Sequence, residues 1–92
     1  MEEKIIVNIF VPGLGEEMEF RIPIHFTVEQ GISLVTTLIT NLNTGLYEAN
    51  QEADLMLRGN VPGSGQLLNP NETFANLRAN NTIASGVLLV LM

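Results

Sequence analysis

The chain contains no cysteine, which excludes a disulfide framework and any thiolate site. Basic residues are nearly as scarce, with four Lys and Arg against ten Asp and Glu and a formal charge of −6. That balance repels phosphate backbones and anionic lipid, so the sequence argues against nucleic acid and membrane surfaces as partners. No segment approaches the roughly 20 apolar residues of a membrane span. The opening Met1-Glu2-Glu3-Lys4 lacks the basic flank and long apolar core of a signal peptide. A soluble, cytoplasmic protein is therefore expected, with no direct membrane insertion. His25 is the single histidine. Without convergent His or Cys it makes no zinc-type site, and the carboxylates show no ordered loop spacing for calcium or magnesium. It reads as a partly exposed imidazole in front of a helix. No metal and no cofactor are expected.

With 92 residues the chain suits one domain, residues 1–92, with one core. Its most informative segment is the last, Val87-Leu88-Leu89-Val90-Leu91-Met92. So apolar a strand belongs inside a sheet, because on an edge it would invite aggregation. The C-terminus is then expected to be structural, without a flexible tail.

From Lys4 to Pro12 the positions Ile5, Val7, Ile9 and Val11 are all apolar, the period of a strand with one core face. Pro12-Gly13-Leu14-Gly15 supplies turn chemistry. A second strand follows from about Met18 to Ile24, and Pro23, which has no amide to donate, puts it on a sheet edge. Thr27 and Gln30 have capping-box spacing, so a helix starts at Val28. Val28, Ile32, Val35, Ile39 and Leu42, joined by Leu38, form its apolar stripe, and Gly45 is a reasonable stop. Gly31 and several β-branched residues weaken its intrinsic propensity, so packing must hold it.

Asn43 to Ala53 reads as a connector anchored by Leu46 and Tyr47. Asp54 to Arg58 alternates again, with Leu55 and Leu57 on one face and Asp54, Met56 and Arg58 on the other. Gly59 to Pro70 is a loop around Leu67-Leu68, a candidate brief fourth strand. A turn or short helical segment containing Leu77 precedes Ile83-Ala84-Ser85-Gly86 and the final strand. The resulting order is β-β-α-β-β-β. A sheet wrapped over one helix buries each element's single apolar side.

Chemical motifs are weak. The two VPGxG copies, Val11 to Gly15 and Val61 to Gly65, are too few for an array and read as β-turns. Gly59 to Gly65 lacks the lysine and Ser/Thr of a P-loop. Ser64 has no nucleophile-elbow pattern, and His25 is distant along the chain. Asn71-Glu72-Thr73 and Asn80-Asn81-Thr82 match glycosylation sequons but come without a secretory signal. Glu16, Glu17 and Glu19 form an acidic cluster at the first hairpin, readable as solvated surface or as a docking patch. Neither a catalytic residue nor a cofactor-binding residue emerges, and the chain is not expected to be an enzyme.

The hairpin, Thr27-Val28-Glu29 opening the helix, Asp54-Leu55-Met56-Leu57-Arg58-Gly59, Leu68-Asn69-Pro70-Asn71-Glu72-Thr73-Phe74 and the turn Ile83 to Gly86 together resemble a ubiquitin-like β-grasp domain over essentially the whole chain. The implied fold is α+β, a mixed four- or five-stranded sheet over one helix. Phe20-Arg21-Ile22-Pro23, the helix segment Ile32-Ser33-Leu34-Val35 and termination after the last strand resemble most the YukD/EsaB family. Those are cytoplasmic accessory proteins of type VII secretion systems in Gram-positive bacteria. A binding protein of the secretion machinery is thus implied. A small auxiliary subunit of a multicomponent enzyme is the alternative. A sulfur carrier or covalent modifier, which needs a terminal Gly-Gly, is contradicted by Met92.

In such folds the first and last strands pair in parallel and the third lies beside the last. If Leu89 and Leu91 face the helix, Leu88, Val90 and Met92 face away, beside Ile6, Phe10, Met56 and Arg58. The expected protein-interaction surface is therefore Ile6, Phe10, Met56, Arg58, Leu88 and Val90, an apolar sheet face of the kind that marks partner contacts. In ubiquitin the equivalent face is the main docking surface, and Met56 matches one of its apolar positions. Homo-oligomers are compatible with such a face. A covering by residues 59–70 or by the N-terminus is the competing expectation.

Overall fold

The computed structural model describes residues 3–42, 53–58 and 65–92, with only the backbone of Leu42. Gly45, Leu46, Tyr47, Ser64 and most of the loop from Gly59 lie outside the described residues. The elements are β1 (Lys4–Val11), β2 (Glu16–Pro23), α1 (Val28–Leu42), β3 (Leu55–Leu57), α2 (Phe74–Ala79) and β4 (Val87–Leu91). They build a mixed four-stranded sheet in the order β2-β1-β4-β3. β1 pairs antiparallel with β2 and parallel with β4, and β3 pairs antiparallel with β4. The terminal apolar strand is thus interior, and proline-bearing β2 is an edge, as their compositions require.

The expected fourth strand shrinks to an isolated bridge between Met56 and Leu67. Three backbone bonds nonetheless hold residues 65–68 along β3: Leu57 N–H to Gln66 O at 2.9 Å, Gly65 N–H to Leu57 O at 2.7 Å and Leu68 N–H to Leu55 O at 2.8 Å. The first hairpin is tighter than its sequence suggests. Gly15 takes φ +67°, a conformation glycine adopts without penalty. Its amide donates to Val11 O at 2.9 Å, so β2 begins at Glu16 rather than Met18.

The core is the inward side of each element. Ile5, Val7, Ile9 and Val11 of β1, Phe20 and Ile22 of β2, Leu55 and Leu57 of β3, and Leu89 and Leu91 of β4 meet Val28, Ile32, Val35 and Ile39 of α1. Leu38 is a correction to the expected stripe, being 40% exposed. One residue advances a helix by about 100°, which carries Leu38 off the face that Ile39 buries. Thr36 is buried in its place on the opposite flank, its hydroxyl donating to Ser33 O at 3.2 Å.

The start of α1 satisfies its otherwise unpaired amides. Thr27 N–H donates to Gln30 Oε1 at 2.9 Å and Gln30 N–H to Thr27 Oγ1 at 3.2 Å, the expected capping box. Val28 N–H donates to Glu72 O at 2.8 Å and Glu29 N–H to Pro70 O at 3.1 Å. The segment entering α2 therefore caps α1. Thr73 in turn caps α2, its Oγ1 accepting from Asn76 N–H at 3.1 Å. An Arg78–Glu3 ion pair ties α2 to the residue before β1. Hydrogen bonding to Arg78 and the guanidinium charge hold the Glu3 carboxyl below its usual pKa. The pair therefore favours the folded state above the ordinary carboxylate range, and that contribution fades as acid protonates Glu3. Both side chains are largely exposed, so solvent and salt screen it.

Gly31 has a specific packing reason. A Cβ built there would lie 2.6 and 2.8 Å from two ring carbons of Phe74, and Phe74 is fully buried. The ring occupies the space a side chain would need. Gly31→Ala should lose about 1–3 kcal/mol to overpacking and regain about 1 kcal/mol in helix propensity. A lowered urea midpoint is expected, whereas exposed Ser33→Ala on the same helix should hold or raise it. A midpoint raised by Gly31→Ala would show that Phe74 yields freely.

Candidate interaction surface

Strand alternation puts Lys4, Ile6, Asn8 and Phe10 on the side of the sheet away from α1. The registers then fix what lies beside each. Glu17, Phe10, Val90, Met56 and Leu67 form one row across the sheet, each opposite the next. Glu19, Asn8 and Leu88 form the neighbouring row. Arg58 continues that row, its amide donating to Leu88 O at 3.1 Å. Met92 extends β4 through a reciprocal pair of backbone bonds with Asp54, of 3.0 and 2.9 Å. Ile6 sits apart, opposite Arg21 and separated from Phe10 by Asn8.

The Arg58 guanidinium lies over the Phe10 ring, 5.0 Å from its centroid, a cation–π contact. Because β4 runs between the strands that carry them, this pair bridges β4. The main departure from expectation lies beside it. Val90, expected as an exposed contact, is only 9% exposed. It does not join the core cluster on the other side of the sheet. It lies on the outer face between Phe10 and Met56, its neighbours in the row.

Ile6, Phe10 and Met56 are half-buried, and Arg58 is exposed. The apolar groups that reach solvent are Leu88 at 40%, Leu67 at 51% and Met92 at 57%. Among the described residues these are three of the four large exposed hydrophobic side chains, the fourth being Leu38. Leu67 was not among the expected contacts. Its signal was local: in Leu67-Leu68 one residue of an extended pair must face out when its neighbour, 4% exposed, faces the core.

The acidic hairpin cluster is divided by the pleat. Glu17 and Glu19 lie on the outer face opposite Phe10 and Asn8, and Glu16, one residue earlier, belongs to the other side. Among the described residues no three His, Asp or Glu side chains converge as a metal site, and no helix is long and apolar enough to cross a membrane.

Solved structures share this arrangement. The ubiquitin-like domain of an Arabidopsis thaliana protein superposes with a TM-score of 0.60 at 17% identity, covering 98% of this chain and 77% of that one. The chain has a ubiquitin-like β-grasp fold. A protein described as a molecular mimic of SUMO that promotes DNA repair matches with a TM-score of 0.60 at 16% identity, over 100% of this chain and 94% of the other. The ubiquitin of Caldiarchaeum subterraneum matches at 0.57 and 19%, over 96% and 90%. The sequence matches no family model and no curated protein. At these identities the β-grasp likeness is one of fold, and the outer face must be read from its own residues. Those residues differ from a plain apolar patch by having a cation, Arg58, over the Phe10 ring and a buried Val90 between Phe10 and Met56.

Proposed function

We propose that the chain is a protein-binding module that works without being conjugated, with the outer sheet face as its docking surface. Its target is a cytoplasmic component of a type VII secretion system, as the resemblance to the YukD/EsaB family implies. The observation that carries the binding reading is the concentration of Leu67, Leu88 and Met92 around the Phe10-Val90-Met56 row. Exposed apolar groups gathered on one face mark contact surfaces, whereas scattered ones do not. The secretion role rests on the sequence resemblance.

The test uses Leu67→Glu with Leu88→Glu, introduced in a bacterium that carries this chain beside a type VII system. Both side chains already contact water, so the purified variant should melt within about 0.5 kcal/mol of wild type. An unpaired carboxylate buried at the interface should block docking. Export of the system's substrates should then fall to the level of a strain deleted for the chain. Full export by a folded double variant would remove the proposal.

A further inference from the structure

We infer that the outer face also takes a second copy of this chain, in a two-fold dimer whose axis runs along the strands between β1 and β4. The inference rests on the outer face being a docking surface and adds its occupant in the free protein. The argument is electrostatic. Of the chain's four basic residues, Lys4, Arg21 and Arg58 all lie on the outer face, and Arg78 pairs with Glu3. The acidic residues described on that face are Glu17, Glu19 and Asp54. Among the described residues of this face, three positive and three negative groups balance, on a protein of net charge −6. This is the surface on which two like-charged copies approach without mutual repulsion.

The arrangement of those charges suits this symmetry. Glu19 and Arg58 end the same cross-strand row, one on β2 and one on β3, with Asn8 and Leu88 between them. At about 4.8 Å per strand they stand roughly 7 Å either side of a line between β1 and β4. A two-fold axis along that line carries β2 over β3 of the copy, so Glu19 meets Arg58 twice. A two-fold running across the strands through this row would instead set Glu19 against Glu19 and Arg58 against Arg58, which like-charge repulsion opposes. Sheets packed with strands nearly aligned lie about 10 Å apart, within reach of an extended Arg and Glu together. In forming the pair, Arg58 leaves the Phe10 ring, so that Phe10 of each copy is free to pack over Val90 of the other. A footprint of four strands and about five residues is roughly 300 Å² in projection, which is small among protein interfaces. Dissociation in the micromolar to millimolar range follows.

Sedimentation equilibrium over that range tests the dimer. Wild type should show a concentration-dependent rise from the monomer mass towards twice that mass. Glu19→Arg alone and Arg58→Glu alone should each weaken association by about tenfold or more, by placing like charges opposite one another. An equimolar mixture of the two variants should recover it, because every contact in the mixed dimer again joins opposite charges. Circular dichroism of each variant confirms that these exposed substitutions leave the fold intact. A wild type that stays monomeric to millimolar concentration overturns the inference. If export is still lost in Leu67→Glu with Leu88→Glu, the docking surface itself stands. A dimer that forms but is not rescued in the mixture overturns the stated symmetry.

Discussion

Phe74→Ala should cost about 3–5 kcal/mol, enough to bring a domain of ordinary stability, 5–15 kcal/mol, close to unfolding. Phe74 is fully buried and opens α2. Its amide donates to Phe26 O at 3.0 Å, and the next amide, of Ala75, donates to Ile24 O at 2.8 Å. The ring is thus inserted beside Gly31 and near Ile22 by a backbone that also carries the caps of α1. Truncation leaves a cavity bounded by a glycine, which has no side chain to fill it. Urea denaturation followed by far-UV circular dichroism gives the loss directly. Phe74→Leu should cost less, and in combination with Gly31→Ala it should be non-additive, since the smaller side chain makes room for the new methyl. An unchanged midpoint in Phe74→Ala would mean that α2 does not dock on α1.

What could be read from the sequence divides along the distance between interacting residues. The capping box needs only Thr27 and Gln30, and the alternation in β1 needs only β1, so both were legible. The interior place of Val87 to Leu91 and the edge place of the strand with Pro23 followed from their composition, whereas the strand pairing came from the resemblance to ubiquitin-like domains. The fate of Val90 was not legible in the same way. Its orientation followed from strand alternation, but its burial is set between Phe10 on β1 and Met56 on β3, neighbours remote from it in sequence. Leu38 was misassigned because a stripe of steps of three and four tolerates one neighbour more than the helix buries. Gly31 looked like a weakness in α1. Its meaning lies in Phe74, on another element. The outer face was therefore legible as a set of strand positions, whereas the Arg58–Phe10 contact, the burial of Val90 and the exposure of Leu67 emerged only with the sheet assembled.

Leu89→Ala against Leu88→Ala tests the two-sidedness on which both functional readings depend. Leu89 is 1% exposed and packs in the core, and its neighbour Leu88 is 40% exposed on the outer face. Losing the Leu89 side chain should cost about 2–5 kcal/mol, since β4 is flanked by β1 and β3 and the surrounding side chains can close the cavity only in part. Losing Leu88 should change stability by no more than about 0.5 kcal/mol. The same pair should behave oppositely in association: Leu88→Ala should weaken dimerisation while the denaturation midpoint stays where it was. Adjacent residues of one strand would then have separate effects, one on folding and one on binding. A large stability loss from Leu88→Ala with none from Leu89→Ala would show the faces of β4 to be reversed, and the row Phe10-Val90-Met56 would then belong to the core.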